Sequence, residues 1–148
     1  MPRKFLVVVD DSPEFEAALR FACRRAKSTG GRVVMLRVLA SHSDAHWSGA
    51  REEIERQQRE EAEALLNRLG EEAMERSGAP PVFLIEKGEP QAAIKKVVGD
   101  DPDIKILVLA AGSGSRGPGP LGAHVGGRKL PVTIVPGELT EAEIEDLA

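Results

Sequence analysis

The stretch "FLVVVDDSPEFEAALRFACRRA", residues 5–26, predicts a strand, a turn and a helix in that order. Its first five residues are all apolar and mostly β-branched, which is typical of a strand that is covered on both faces. Asp10 and Asp11 end this run, and Ser12 is a suitable N-cap for a helix with Pro13 at its first position. Apolar residues then recur at the spacing of one helical face: Phe15, Ala18, Leu19, Ala22 and Ala26.

The same alternation continues to the end of the chain. Further strands are predicted over 32–38, 81–85, 104–110 and 131–135, and helices over 50–76, 90–98 and 138–147. Because strands alternate with helices, we expect right-handed crossovers and an α/β fold with a single doubly wound, parallel, five-stranded sheet. A chain of 148 residues suits one domain over 1–148, with a core over 1–137 and an acidic tail or short helix over 138–148.

Composition argues against several classes of protein. The net charge of −4 disfavours a nucleic-acid partner and an anionic membrane surface. The apolar runs are far too short to span a bilayer, and the start of the chain lacks the apolar segment of a signal peptide. One cysteine, Cys23, builds no disulfide framework, so we expect a cytoplasmic protein. Cys23 lies near the apolar face of the first helix, which predicts a small buried residue and not a nucleophile.

A glycine-rich segment, residues 112–127, follows the fourth predicted strand and contains seven glycines in sixteen residues. Its beginning, 112–117, has the pattern G-x-G-x-x-G of a dinucleotide-binding loop. That motif should open the first βαβ unit and lead into a helix, whereas here it follows the fourth strand and precedes Pro118 and Pro120, which disfavours NAD. A loop that binds phosphate through its backbone N–H groups and a plain flexible connector both remain open.

Acidic residues follow the first predicted strand at the same edge of the sheet. In an open parallel sheet, ligands bind outside the carboxyl ends of the strands, where the strand order reverses. The Asp10 carboxylate can accept hydrogen bonds from an adenine amino group or a ribose hydroxyl, or hold a metal ion on a phosphate. The alternative is that Asp10 and Asp11 are a helix cap and a solvated carboxylate.

Other polar clusters indicate structure more than chemistry. His42, Asp44 and His46 have side chains suited to a metal ion, but a solvated polar loop explains them better because no further ligand is indicated. Three aspartates around Pro102, at positions 100, 101 and 103, predict a helix-to-strand turn. The sequence contains no Ser–His–Asp order, H-E-x-x-H motif or Walker lysine, so it gives little support to catalysis.

Three segments together resemble the universal stress protein family. They are the opening stretch quoted above, "GEPQAAIKKVVGDDPDIKILVLAAGSGSRG" (88–117) and "LPVTIVPG" (130–137). The resemblance implies a Rossmann-like, adenine-nucleotide alpha-hydrolase-like sheet in the order 3-2-1-4-5. It also implies a nucleotide cleft between the first and fourth strands.

The resemblance also implies site residues. In family members that bind ATP, Asp10 and Val38 occupy the positions that contact adenine, with Asp11 and Ser12 beside them. The phosphates rest on a G-x2-G-x9-G-(Ser/Thr) loop, whose glycines are matched here by Gly114, Gly117 and Gly127, with Gly112 just before them. Arg128 stands where the family has Ser or Thr, and can offer phosphate charge-assisted hydrogen bonds instead. Only residues 128–130 precede the last strand, where the family has most of a helix.

Two functions follow from these observations and stay open. In the first, the protein is a stress-response module that binds ATP or AMP weakly, with Mg²⁺ possible beside ATP. Its catalytic activity would then be at most a slow hydrolysis of ATP. In the second, it binds no nucleotide and acts as a homodimeric interaction module. Family members commonly dimerise through the last strand, and 131–136 is here an uncharged run at the expected sheet edge, open to a second copy.

Overall fold

The computed structural model describes residues 3–9, 15–39, 48–111, 124–125 and 128–148. Strands and helices alternate along most of the chain, as the sequence predicts. In chain order they are β1 (Lys4–Val9), α1 (Phe15–Thr29), β2 (Arg32–Leu39), α2 (Ser48–Ser77), β3 (Val82–Lys87), α3 (Pro90–Asp100), β4 (Ile104–Ala111), β5 (His124–Val125), β6 (Arg128–Lys129), β7 (Val132–Pro136) and α4 (Glu141–Leu147).

The main sheet has five parallel strands in the order β3-β2-β1-β4-β7. Lys4 of β1 lies opposite Arg32 of β2, and Val7 of β1 lies opposite Val108 of β4. Since β7 is the fifth strand of this sheet, the predicted order 3-2-1-4-5 is confirmed, with β3 and β7 at the two edges.

The sheet buries both of its faces, which explains the uninterrupted apolar runs. Along β1, Phe5, Val7 and Val9 belong to a buried cluster with α1, α2 and α4. Leu6 belongs to a second cluster with α3 on the opposite face. Successive side chains of a strand point to opposite faces of the sheet, so a strand with helices on both faces needs apolar residues at every position. Its sequence therefore does not alternate between apolar and polar residues.

The turn between α3 and β4 is built by the aspartates that the sequence assigned to it. The Asp103 amide donates to the Asp101 carboxylate at 3.0 Å, and the Lys4 ammonium lies 2.7 Å from the same side chain. Lys4 begins β1 and Ile104 begins β4, so this turn lies at the amino edge of the sheet. These carboxylates therefore hold a turn at the edge opposite the predicted ligand cleft.

The acidic end of the chain folds into a short helix that packs on α1. Thr140 and Glu143 form a capping box at the start of α4, and Ile144 is buried in the cluster beneath α1. Arg76 at the end of α2 donates to Glu141 at 2.8 Å, and this hydrogen bond holds the pKa of the Glu141 carboxyl below its usual value. The last helix is thus tied to α1 and α2 on one face of the sheet.

One small element departs from the sequence expectation. β5 and β6 pair as an antiparallel hairpin, with His124 opposite Lys129 and Val125 opposite Arg128. The sequence left too few residues before the last strand for the helix that the family has there, and the structure has a hairpin strand at Arg128–Lys129. Leu130, just beyond the hairpin, is buried in the cluster that includes α3.

Candidate functional site

The fold produces a crevice where the strand order reverses. From β1 the chain goes on to β2 on one side, whereas the strand of this sheet that follows β4 in the chain is β7, on the other side. The carboxyl ends of β1 and β4 are therefore neighbours whose connections leave in opposite directions, which is the arrangement that opens a ligand crevice in α/β sheets. β1 ends at Val9 and β4 ends at Ala111.

The predicted site residues are only in part within the described chain. Val38 lies near the carboxyl end of β2, half-buried and opposite Glu86 of β3. Arg128 lies in β6, so these two residues belong to different sheets. The remaining predicted site residues lie outside the described ranges: Asp10, Asp11, Ser12, Gly112, Gly114, Gly117 and Gly127. In the sequence they follow β1 and β4 or lie between β5 and β6, and their roles stay predictions.

An arginine that the sequence analysis did not single out lies beside the crevice. Arg37 of β2 is opposite Val9 of β1, and its guanidinium Nη1 donates to the Val9 carbonyl at 3.3 Å. The half-buried guanidinium gains a polar partner in this contact, at the last residue of β1. The sequence signal was a charged residue inside the apolar run 33–39, close to the carboxyl end of a strand.

Arg37 gives this edge of the sheet a positive charge next to the predicted adenine-binding positions. A guanidinium presents several N–H groups in a planar fork that matches carboxylate and phosphate oxygens. By holding the carbonyl of Val9, Arg37 also fixes the backbone from which Asp10 follows. The residue thus links the second strand to the first at the point where the predicted site begins.

A cavity of about 330 Å³, lined mostly by charged residues, adjoins this edge at the ends of β2 and β3. Leu39 and Lys87 form its sheet side, and the first half of α2 covers it with Glu55, Arg56 and Arg59. Lys87 pairs with Glu55, while Arg56 is held between Glu53 and Glu60 at 2.5 and 3.0 Å. The cavity is at the small end of the range for ligand pockets, and several of its charges are already paired within the chain.

Neither of the other candidate sites gains support as a reactive centre. Cys23 is fully buried, and this burial raises the pKa of its thiol to about 12, so the thiol is neutral at physiological pH and a poor nucleophile. Among the described residues no cluster of three or more His, Cys, Asp or Glu side chains is placed to hold a metal ion. His42, Asp44 and His46 lie outside those residues.

Comparison with known proteins identifies the family. The family profile described as the universal stress protein family matches residues 1–126. The chain belongs to the universal stress protein family. The matched range ends before β6, β7 and α4.

Solved structures of this family have the same fold. Universal stress protein UspA from Lactobacillus plantarum is 21% identical, with 90% of this chain and 97% of that chain covered and a TM-score of 0.72. A family protein from Arabidopsis thaliana with AMP bound is 21% identical, with coverage of 91% and 92% and a TM-score of 0.62. A universal stress protein in complex with cAMP is 17% identical, with coverage of 93% and 98% and a TM-score of 0.59.

A search of curated proteins finds none that matches this chain. Within the part of the chain that the structure describes, no helix is both long enough and apolar enough to cross a bilayer.

Proposed function

We propose that this universal stress protein binds ATP or AMP in the crevice at the carboxyl ends of β1 and β4. The observation that carries the proposal is the reversal of strand order at β1 and β4, followed in the sequence by an acidic turn on one strand and a glycine-rich segment on the other. Two family structures with adenine nucleotides bound, one with AMP and one with cAMP, support the choice of ligand.

In the proposed complex the adenine lies near Asp10 and Val38, with Asp11 and Ser12 at the start of the following turn. The phosphates lie on the backbone N–H groups of the glycine segment, at Gly112, Gly114 and Gly117. Gly127 and Arg128 are proposed to close the phosphate site, where the Arg128 guanidinium takes the place of the family's hydroxyl. Mg²⁺ is expected only beside ATP, whose phosphates can hold it.

Isothermal titration with ATP, AMP and NAD, with and without magnesium, tests this proposal. We expect heat of binding for the two adenine mononucleotides and none for NAD. Asp10→Ala should weaken binding by about 1–3 kcal/mol, because one or two hydrogen bonds to the base or ribose are lost. Asp100→Ala is the matched control, because that exposed carboxylate ends α3 at the opposite edge of the sheet. No heat and no shift in melting temperature at millimolar ATP would refute nucleotide binding.

A second candidate function, a homodimeric interaction module, is favoured by β7. This strand is at the sheet edge, and its residues Val132–Val135 are uncharged and half-buried or buried in the single chain. An exposed edge strand presents unpaired N–H and C=O groups that proteins otherwise cover or flank with charges. We propose that a two-fold partner pairs antiparallel with β7 and covers its apolar side chains.

A cytoplasmic location suits both proposed functions and stays a prediction.

Light scattering at micromolar concentration tests the dimer. The wild-type protein should give about twice the chain mass of 15.9 kDa. Ile134→Lys should shift it to monomer, because a lysine at the centre of the paired edge loses its hydration when the partner docks. Thr133→Lys, on the other face of β7, is the second variant if Ile134→Lys melts early. A wild-type protein that stays monomeric at high concentration would rule out this interface.

A further inference from the structure

The opposite edge of the sheet carries an apolar groove between α2 and β3. Two adjoining cavities of about 710 and 380 Å³ share Asn67 and Phe83, so they form one continuous depression. Met74 and Phe83 in this depression are 49% and 41% exposed, which is unusual for large apolar side chains in the described chain. We name it the α2–β3 groove and define it by Asn67, Met74, Pro81, Phe83 and Ile85.

The groove exists because α2 leaves part of the edge strand uncovered. The buried residues of α2, including Leu66 and Leu69, belong to the cluster that contains Met35 of β2. Phe83 of β3 reaches α2 at Gly70, where a Cβ would overlap the Phe83 ring. The glycine lets the ring lie against the helix backbone, and yet the outer side of the ring stays exposed to solvent.

The rim of the groove is acidic. Glu71 and Glu75 line its Met74 end, and both are exposed. No described residue forms an ion pair with either carboxylate. Glu63 and Arg59 line the Ile85 end, so the rim carries three carboxylates and one guanidinium. A rim of this charge favours a partner that carries lysine or arginine beside its apolar side chains.

The backbone of β3 offers the second element of recognition. β3 is the last strand at its edge of the sheet, and residues Val82–Ile85 bear no charged side chain. Edge strands of this kind accept an extended peptide as an additional strand, in which alternate side chains enter a neighbouring groove. The charged residues Glu86 and Lys87 limit such pairing to the first part of β3.

We propose that the α2–β3 groove binds an extended, basic segment of another protein. The segment adds a strand beside Val82–Ile85, places an apolar side chain on Phe83 and Met74, and directs its basic residues to Glu71 and Glu75. A second copy of this chain is a poorer occupant, because a two-fold interface would bring the same acidic rim from both copies together. The binding surface is formed by α2 and β3, apart from the crevice between β1 and β4.

A peptide titration with the full chain tests the proposal. The probe is a short, end-capped peptide with a core of alternating valine and threonine and with lysines at both ends. One control peptide has glutamates in place of the lysines, and another has prolines in the core, which cannot pair as a strand. Fluorescence anisotropy should show the basic strand-forming peptide binding at least about tenfold more tightly than either control. In NMR spectra, the changes in amide chemical shift on peptide binding should be concentrated at Val82–Ile85 and around Met74.

Charge-reversal variants test the surface without disturbing the core. Glu71→Lys combined with Glu75→Lys should reverse the preference, so that the glutamate-flanked peptide binds better. Glu61→Lys combined with Glu138→Lys makes the same change in net charge at exposed positions outside the groove and should leave the preference unchanged. Phe83→Ser should lower the affinity for the basic peptide about tenfold, with thermal melting as the check that the chain still folds.

Several results would overturn the proposal. They are equal binding of the basic and acidic peptides, undiminished binding of the proline peptide, and a reversed preference in the Glu61→Lys and Glu138→Lys variant. Shifts of the same amides when the protein alone is concentrated would identify a second copy as the occupant and overturn it as well.

Discussion

At the scale of single residues, burial makes the Cys23 thiol unreactive and leaves the residue a packing role in the core. Its thiol lies fully buried in the cluster beneath α1, and removal from water is the main cause that raises its pKa from 9.0 to about 12. The nearby Glu72 carboxylate raises this pKa further, while Arg76 lowers it. The charge of the thiolate is therefore disfavoured in the folded chain, and the residue contributes as a small apolar group.

This shift predicts a loss of stability at alkaline pH. The folded chain keeps the thiol proton to higher pH than the unfolded chain, so the folded state binds more protons between pH 9 and about 12. The stabilisation is complete below pH 9 and is lost as the pH rises through that window. Relative to Cys23→Ala, the wild-type free energy of unfolding should fall by about 1.4 kcal/mol per pH unit there. Urea unfolding of both proteins at several pH values measures this difference. Free energies of unfolding that change with pH in parallel for the two proteins would contradict the prediction.

At the scale of elements, Gly70 and Phe83 set how α2 meets β3. Glycine inside a helix costs about 0.5–1 kcal/mol relative to alanine, so its presence in the middle of α2 needs a structural reason. That reason is the Phe83 ring, which occupies the space where a Cβ would lie. Gly70 thus lowers the intrinsic stability of the helix but allows the contact between α2 and the edge strand.

A double-mutant cycle tests this pairing. In the wild-type background Gly70→Ala should lower the free energy of unfolding, because the Cβ displaces the ring of Phe83 from α2. With Phe83→Ala already present, the same substitution should raise it by about 0.5–1 kcal/mol, as expected for alanine in a helix. Gly99→Ala, near the end of α3, is the control, since a Cβ there has open space in either background. Equal effects of Gly70→Ala in both backgrounds would disprove the coupling.

The helices and strands of the main sheet could be predicted because their patterns reflect burial. β1 is apolar throughout since helices cover both of its faces, and α2 was expected over 50–76 and spans Ser48–Ser77. The β5–β6 hairpin was missed because strands of two residues are too short to show the alternation of apolar and polar residues by which strands are predicted. Its one signal is Gly126-Gly127 between Val125 and Arg128, a two-residue connection typical of hairpins.

At the scale of the whole molecule, the position of the crevice could be predicted and its interior could not. The parallel sheet and its right-handed crossovers follow from general rules, whereas the strand order that makes the carboxyl ends of β1 and β4 neighbours was implied by the family resemblance. The glycine-rich segment 112–127 has no hydrophobic period that would determine its path. Arg37 was missed because its role depends on which carbonyl lies opposite it. The position of a candidate site can therefore be predicted better than the arrangement of its groups.

The two edges of the sheet are also far enough apart to act independently. Four strand spacings separate β3 from β7, which amounts to roughly 19 Å at about 4.8 Å for each spacing. The intervening strands β2, β1 and β4 are buried on both faces, and we expect docking at one edge to leave the other edge unchanged.

We therefore expect the basic peptide to bind the proposed β7 dimer and the Ile134→Lys variant, expected to be a monomer, with the same affinity per chain. One peptide should bind each chain, so the dimer takes up two, because a two-fold axis at β7 leaves the α2–β3 groove of each copy at the outer ends of the joined sheet. Fluorescence anisotropy at fixed chain concentration gives the affinity, and light scattering under the same conditions gives the oligomeric state. Thr140→Ala, which removes the capping box of α4 and changes no residue of β3 or β7, serves as a control for general loss of stability. A change in peptide affinity of more than about threefold on monomerisation, without a matching change in Thr140→Ala, would show that the edges are coupled and that the joined sheet responds as one unit.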